Sequence, residues 1–236
     1  MTAGPNESQL RRAIIAKARL MNASGLTRGT AGNISARFGD RMLITPSAIP
    51  YETLKPAMLA AMPLDGNGEW AGSHKPSTEW PFHSAIYRAR SDAGAVVHTH
   101  SAFATVLSIA RRPIRACHYM IAAFGGSNVR CADYATSGSA ELSQAVLPAL
   151  EGRNACLLAN HGAVAVGTDL DEAMWLAETL ETISEHYYRA LLIGGPILLS
   201  ERDVSEMRDR MRSYGVQNRG KPRTTPGTKQ RSKPRC

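Results

Sequence analysis

The chain has 236 residues, 43% of them hydrophobic and 20% charged, which suits a soluble globular body with a sizeable core and excludes a wholly disordered chain. No apolar run approaches the ~20 residues of a bilayer-spanning helix, so a membrane partner is not expected. The formal net charge of +8 is concentrated at one end: Arg219, Lys221, Arg223, Lys229, Arg231, Lys233 and Arg235 supply seven positive charges with no acid among them, which leaves +1 for the rest.

Residues 1–216 are therefore read as one domain, and 217–236 as a basic, Pro/Gly/Thr/Ser-rich tail that cannot bury a core and is expected to be disordered. Nucleic-acid binding by that tail is the weaker reading; a solvated appendage is the stronger. Cys117, Cys131, Cys156 and Cys236 form no CxxC pair and no zinc-finger spacing, which points to reduced thiols in a cytoplasmic protein.

In chain order, Asn6-Glu7-Ser8 caps an amphipathic pattern (Leu10, Ile14, Ala18, Met21) that predicts a surface helix over 7–25, not a signal peptide. The small-residue loop Gly29–Asn33 leads into a strand over 33–38. Asp40-Arg41 then suggests a hairpin to a second strand over 41–45. Thr45-Pro46-Ser47-Ala48 and Ser77-Thr78 are rich in hydroxyl groups. Helical periodicity covers 78–90, 101–110, 138–150 and 171–193, and short Val/Ile/Leu-rich runs predict strands at 94–99, 113–116, 155–160 and 163–166. Helices on both faces of a central mixed or antiparallel sheet follow, an α/β class.

Val97-His98-Thr99-His100 ends a buried strand with two histidines two positions apart. Side chains at i and i+2 share a face, about 6.5 Å apart, so both imidazoles can reach one cation. His161 follows another apolar run at a strand end or tight turn. Three imidazoles suit zinc with a fourth position open; manganese and cobalt are not separated from it by ligand count. His74, His83, His118 and His186 read as surface, helix-packing or supporting residues. Glu79, in Ser77-Thr78-Glu79-Trp80, reads as a helix-capping carboxylate that can also shuttle protons, with Trp80 and Phe82 tending to raise its pKa. The loop at Gly29–Asn33 is neither a Walker loop nor a dinucleotide fingerprint; with the two hydroxyl-rich segments it makes a phosphorylated ligand plausible. Before the tail only Lys17, Lys55 and Lys75 occur, none in an apolar setting, which argues against Schiff-base chemistry.

These residues match a known pattern in order. Gly29-Thr30-Ala31-Gly32-Asn33, Met42-Leu43-Ile44-Thr45-Pro46, Ile49-Pro50-Tyr51-Glu52 and Pro76–Trp80 are joined by Ala95–His100, His118–Ala123, Tyr134-Ala135-Thr136 and His161-Gly162. Over roughly residues 8–215 the chain resembles the class II (metal-dependent) aldolase/adducin family, and within it the L-fuculose-1-phosphate aldolases. The resemblance implies a three-layer α/β/α sandwich around a mixed, largely antiparallel sheet, assembled as a homotetramer with sites between subunits. It implies one divalent metal ion per subunit on His98, His100 and His161, with Glu79 beside it as catalytic acid/base. Phosphate falls to Asn33, Ser47, Ser77 and Thr78, with backbone help from Gly32 and Ala48. Tyr119 and Tyr214 would reach into a neighbour's site, Tyr119 as the proton donor and acceptor for the aldehyde oxygen.

The activity implied is retro-aldol cleavage of a ketose 1-phosphate to dihydroxyacetone phosphate and a short aldehyde. Family members carry aromatic residues at the positions matched by Ser137 and Met211, so the aldehyde pocket is expected to be altered and its choice relaxed. L-fuculose, 5-deoxyribulose and 5-methylthioribulose 1-phosphates are the candidate substrates. Pentulose-phosphate 4-epimerase and methylthioribulose-1-phosphate dehydratase are the alternatives within the superfamily; a non-catalytic adducin-like module would be expected to have lost the histidines.

Overall fold

The computed structural model describes residues 6–211; Tyr214 and the basic tail lie outside them. An eight-stranded sheet carries the architecture, in the order β3-β2-β1-β4-β8-β7-β6-β5. The strands are β1 (Asn33–Phe38), β2 (Arg41–Ile44), β3 (Ala60–Pro63), β4 (Ala95–Thr99), β5 (Ile114–Arg115), β6 (Asn128–Ala132), β7 (Ala155–Leu158) and β8 (Gly162–Gly167). Every neighbouring pair is antiparallel except β6 with β7. The helices are α1 (Glu7–Ala23), α2 (Trp80–Ala89), α3 (Ala102–Ile109), α4 (Ala140–Leu150), α5 (Leu170–Leu192) and α6 (Glu201–Met211).

Alternation along the strands builds two cores, one on each face. Ile34, Ala36, Leu43, Ala95, Val97, Ala163 and Ala165 face α1, α3 and α5. Their neighbours Met42, Ile44, Val96, Val164 and Val166 face α2 and α4 with Phe82, Ile86, Leu142 and Val146. Period-2 side-chain placement thus produces the three layers implied by the family resemblance.

The elements expected from periodicity are present, with helix ends shifted by a few residues. α1 opens on a capping box in which Asn6 and Gln9 each accept the other's backbone N–H at 2.9 Å. The first hairpin turns on Gly39-Asp40, with Phe38 paired to Arg41, one residue earlier than expected. Gly39 has φ +62°, a value glycine adopts without strain. β3, β6, α6 and a 3-10 helix over Tyr119–Phe124 had no forecast.

Candidate active site: three histidines around a buried carboxylate

Strand register sets the geometry. β4 lies between β1 and β8, where His98 sits opposite Asn33 on one side and Val164 on the other. Residues paired across antiparallel strands share a face, so Asn33, Ser35, Val96 and His98 all point toward α2. His100 follows two positions after His98. His161 is delivered by the β7–β8 hairpin, whose residue Asn160 takes a left-handed φ of +54°.

The close approach of β8 to β4 needs a residue without a Cβ. A Cβ on Gly162 would lie 2.3 Å from the Thr99 carbonyl and 2.9 Å from His100 Cδ2. Gly32 meets the same demand on the other side: a Cβ there would lie 2.6 Å from the His98 carbonyl. The loop preceding β1 is held by the Tyr51 hydroxyl, which donates to the Gly32 carbonyl at 2.7 Å.

The three imidazoles form a cluster with ring centroids 4.8, 4.8 and 4.9 Å apart, each pair close to perpendicular. One nitrogen from each lies within 4.8 Å of the others. His98 is fully buried and His100 is the most open. His98 Nδ1 donates to the Ala163 carbonyl at 2.9 Å, which in the neutral ring leaves Nε2 as a lone pair. That lone pair faces His100 Nε2 at 2.9 Å and Glu79 Oε2 at 3.0 Å. Converging lone pairs and a carboxylate repel one another unless a cation sits among them, and nitrogen donors with an open side suit a divalent metal. The donor set therefore fits a metal ion.

Glu79 occupies the N-cap position of α2, yet its side chain makes no capping bond. It turns instead to the cluster, with Oε1 3.1 Å from His161 Nε2. The capping reading is corrected: the carboxylate is spent on the site. Burial pushes its carboxyl up, but the contacts with His98 and then His161, which lie against its two oxygens, outweigh burial and hold it well below the usual carboxylate range. The expected rise from Trp80 and Phe82 is thus overridden by the histidines. Burial, with His98 and His161 nearby, lowers His100 to about 4.

Two further donors fix the carboxylate. Ser137 Oγ donates to Oε1 at 2.8 Å and Asn33 Nδ2 to Oε2 at 2.9 Å. Gly138, at φ +76°, lets the Ser137 loop close on α2; its Cβ would lie 2.7 Å from the Thr78 carbonyl. Ser137, read from sequence as part of an aldehyde pocket, is therefore also a direct partner of Glu79.

The other expected site residues divide. Segments 45–47 and 75–77 are laced together by Ser47 N–H to the Lys75 carbonyl at 3.2 Å and Ser77 N–H to the Thr45 carbonyl at 3.0 Å. This holds the segment carrying Ser47 and Ala48 beside Ser77 and Thr78, which directly precede Glu79, with Ala48 at φ +57°. Asn33 is buried with both ends of its amide engaged, which leaves one Nδ2 hydrogen for an anion. Tyr119 is 48% exposed, and its ring tilts on His118 4.5 Å away. Met211 lines a cleft with Ala122, Ala123 and Trp175, none of which belongs to the histidine cluster.

Comparison with known proteins decides the family. The profile described as Class II Aldolase and Adducin N-terminal domain matches residues 12–188. The chain belongs to the class II aldolase/adducin family. This aldolase is 47% identical over 206 residues to the 5-methylthioribulose-1-phosphate/5-deoxyribulose-1-phosphate aldolase of Rhodospirillum rubrum, covering 87% of this chain and 92% of that one. It is 44% identical over 210 residues to the L-fuculose phosphate aldolase of Escherichia coli K12, covering 89% and 97%. A solved L-fuculose 1-phosphate aldolase superposes with a TM-score of 0.83 at 36% identity, covering 86% of this chain and 96% of the other. No helix among the described residues is long and apolar enough to cross a membrane.

Sequence reasoning allowed His83 a supporting place but missed its partners Ser35 and Tyr87 behind Glu79. His83, Ser35 and Tyr87 form a buried polar cluster beneath it. The one signal for it was Ser35, two positions after Asn33 and hence on the same face of β1.

Proposed function

We propose that the chain is a zinc-dependent aldolase that cleaves a deoxyketose 1-phosphate into dihydroxyacetone phosphate and a short aldehyde. The observation that carries this reading is the Glu79 carboxylate held between His98 and His161 at the edge of a three-histidine cluster. A divalent ion bound by His98, His100 and His161 supplies Lewis-acid stabilisation of negative charge on the ketose oxygens.

The chain's own residues do the rest. Asn33, Ser47, Ser77 and Thr78, with the backbone at Gly32 and Ala48, hold the phosphate. Tyr119 of a neighbouring subunit takes the proton of the C4 hydroxyl as the C3–C4 bond breaks, its electrons remaining on C3. Glu79 carries the proton exchanged at C3, removing it in condensation and returning it in cleavage. The exposure of Tyr119 supports its service to another copy, and hence a homotetramer with sites at subunit interfaces. Ser137, with Met211 and Tyr214 supplied like Tyr119 by a neighbouring subunit, would surround the aldehyde half. We place the protein in the cytoplasm, with 1–216 as the catalytic domain and 217–236 as an appendage.

The relatives named for 5-methylthioribulose 1-phosphate and for L-fuculose phosphate bracket the substrate. The test is to incubate zinc-loaded protein with L-fuculose, 5-deoxyribulose and 5-methylthioribulose 1-phosphates and to identify the products. Release of dihydroxyacetone phosphate with the matching aldehyde is expected. An epimerised or dehydrated phosphate with no aldehyde would move the protein to the epimerase or dehydratase reading. His98→Ala, His100→Ala and His161→Ala should each lose tight metal and nearly all turnover, and full metal by elemental analysis in two of the three would overturn the ligand assignment.

A further inference from the structure

Behind the carboxylate runs an unbroken line of buried polar side chains. Tyr87 Oη lies 2.8 Å from Ser35 Oγ, Ser35 Oγ 2.7 Å from His83 Nδ1, and His83 Nε2 2.5 Å from Asn33 Oδ1. Asn33 Nδ2 then reaches Glu79 Oε2 at 2.9 Å. All five residues are buried, and His83 and Ser35 have no exposed surface at all.

The direction of every bond follows from the last one. A carboxylate has only acceptors, so Asn33 must present its Nδ2–H to Glu79 and its Oδ1 to His83. Oδ1 can only accept, so His83 must carry its proton on Nε2. A neutral ring then has a lone pair on Nδ1, which requires Ser35 to donate. Ser35 Oγ, having given its proton to His83, accepts from the Tyr87 hydroxyl. Burial, with His98 nearby, lowers His83 to about 3, consistent with the neutral ring.

We propose that His83, held in its Nε2–H form by Ser35 and Tyr87, is a positioning residue that fixes the orientation of the Asn33 amide and through it the Glu79 carboxylate. An amide is nearly symmetric in shape, so packing alone does not choose between its two orientations; hydrogen bonding does. Reversed, Asn33 would turn its carbonyl oxygen on the carboxylate and push Glu79 away from C3. His83 touches neither substrate nor metal in this scheme; it acts through Asn33. Because Asn33 also faces the phosphate subsite, the same relay ties the position of the proton-transferring group to the place where substrate is anchored. The inference rests on the aldolase reading for its catalytic consequence, but not for the direction of the bonds.

Two measurements test it. Neutron diffraction from deuterium-exchanged, zinc-loaded crystals should show a deuteron on His83 Nε2 and none on Nδ1. A deuteron on Nδ1, or on both nitrogens, overturns the relay whatever the reaction proves to be. The second measurement follows exchange of the C3 hydrogen of dihydroxyacetone phosphate with D2O by NMR, which isolates the Glu79 step from aldehyde handling. Ser35→Ala removes the group that selects the tautomer with little change in volume, and His83→Leu removes the donor to Asn33. Each should slow exchange by ~10–100-fold at saturating ligand, the effect of losing one buried hydrogen bond, with zinc content unchanged and KM moved much less than kcat. His83→Gln keeps a donor near Nε2 and should recover most of the rate. Should His83→Leu fail to fold, Ser35→Ala decides. Wild-type protein that exchanges no deuterium overturns the proposed reaction itself; wild-type exchange that Ser35→Ala retains in full overturns the relay alone.

Discussion

Gly162→Ala should weaken metal binding without replacing a ligand. The added Cβ would stand 2.3 Å from the Thr99 carbonyl and 2.9 Å from His100 Cδ2. Ordinary contacts of these kinds begin at ~3.4 Å, so either the β4–β8 spacing or the His100 ring must give by roughly 0.5–1 Å. The strand is poorly placed to do so, because β4 is hydrogen-bonded to β1 on its other edge. Overpacking of this kind costs ~1–3 kcal/mol, which for a domain of this size lowers Tm by ~2–12 °C.

The ring can yield more easily, but metal coordination tolerates displacements of only ~0.2 Å. A loss of ~10–100-fold in zinc affinity is therefore expected, the size seen when groups supporting a ligand are disturbed. Competition with a chromophoric chelator measures the affinity, and melts with and without EDTA separate the two costs. An alanine variant with zinc affinity within ~2-fold of wild type and an unchanged Tm would refute the close-approach argument, since one of those two quantities has to absorb the overlap.

Three other predictions follow from the site and its surroundings. Ser137→Phe should shift the ratio of specificity constants toward L-fuculose 1-phosphate, within the ~1–3 kcal/mol that a pocket change of this size commands, and should also lower kcat on every substrate because Glu79 Oε1 loses its donor; unchanged turnover would show that the 2.8 Å bond is idle. Truncation after Asn218 should leave turnover within a few-fold, whereas truncation before Tyr214 should not, as judged by steady-state release of dihydroxyacetone phosphate. Because His83 is lowered from 6.5 to about 3, the unfolded chain binds a proton that the native state refuses; stability is full above pH ~6.5 and falls toward pH ~3 by ~1.4 kcal/mol per unit. Urea unfolding of His83→Gln should accordingly show a shallower loss between pH 6.5 and 4.5, and parallel curves would contradict the neutral buried ring.

The three-histidine cluster was legible because period-2 geometry is local: His98 and His100 needed only a strand end, and His161 only the turn after Leu158. It showed less where function depends on pairing across strands. His83 could be read no more closely than as a surface, helix-packing or supporting residue because its partners Ser35 and Asn33 lie on β1, some fifty residues away. Glu79 at the start of α2 carried a sound capping signal, but burial beside three histidines was a stronger demand than one N–H. β6 escaped notice because Arg130 interrupts it; that side chain leaves the sheet to bind the carbonyls of Pro148, Ala149 and Glu151. β3 offered only Ala60, Ala61, Met62 and Pro63, too little β-branched character to read as a strand. α6 fully buries Val204 alone, with Met207 and Met211 packed partly against the core, a three-residue stripe at helical spacing that went unread among the charges of Glu201–Arg210.

The β4–β8 pairing also governs when the site comes into being. His98 faces Val164 across a separation of more than sixty residues, so the third ligand joins the first two only after the centre of the sheet has zipped together. Such contacts are slow to form because a long loop must close before any of them is rewarded. The two histidines of β4 alone are a poor chelate, and the nascent chain has little with which to capture metal early. An ion that binds only the finished sheet acts as a selective ligand for it, adding ~2.7 kcal/mol when free metal stands at 100 times its dissociation constant. For a chain that takes up metal this way, metal supply during synthesis would set how long the folded protein survives.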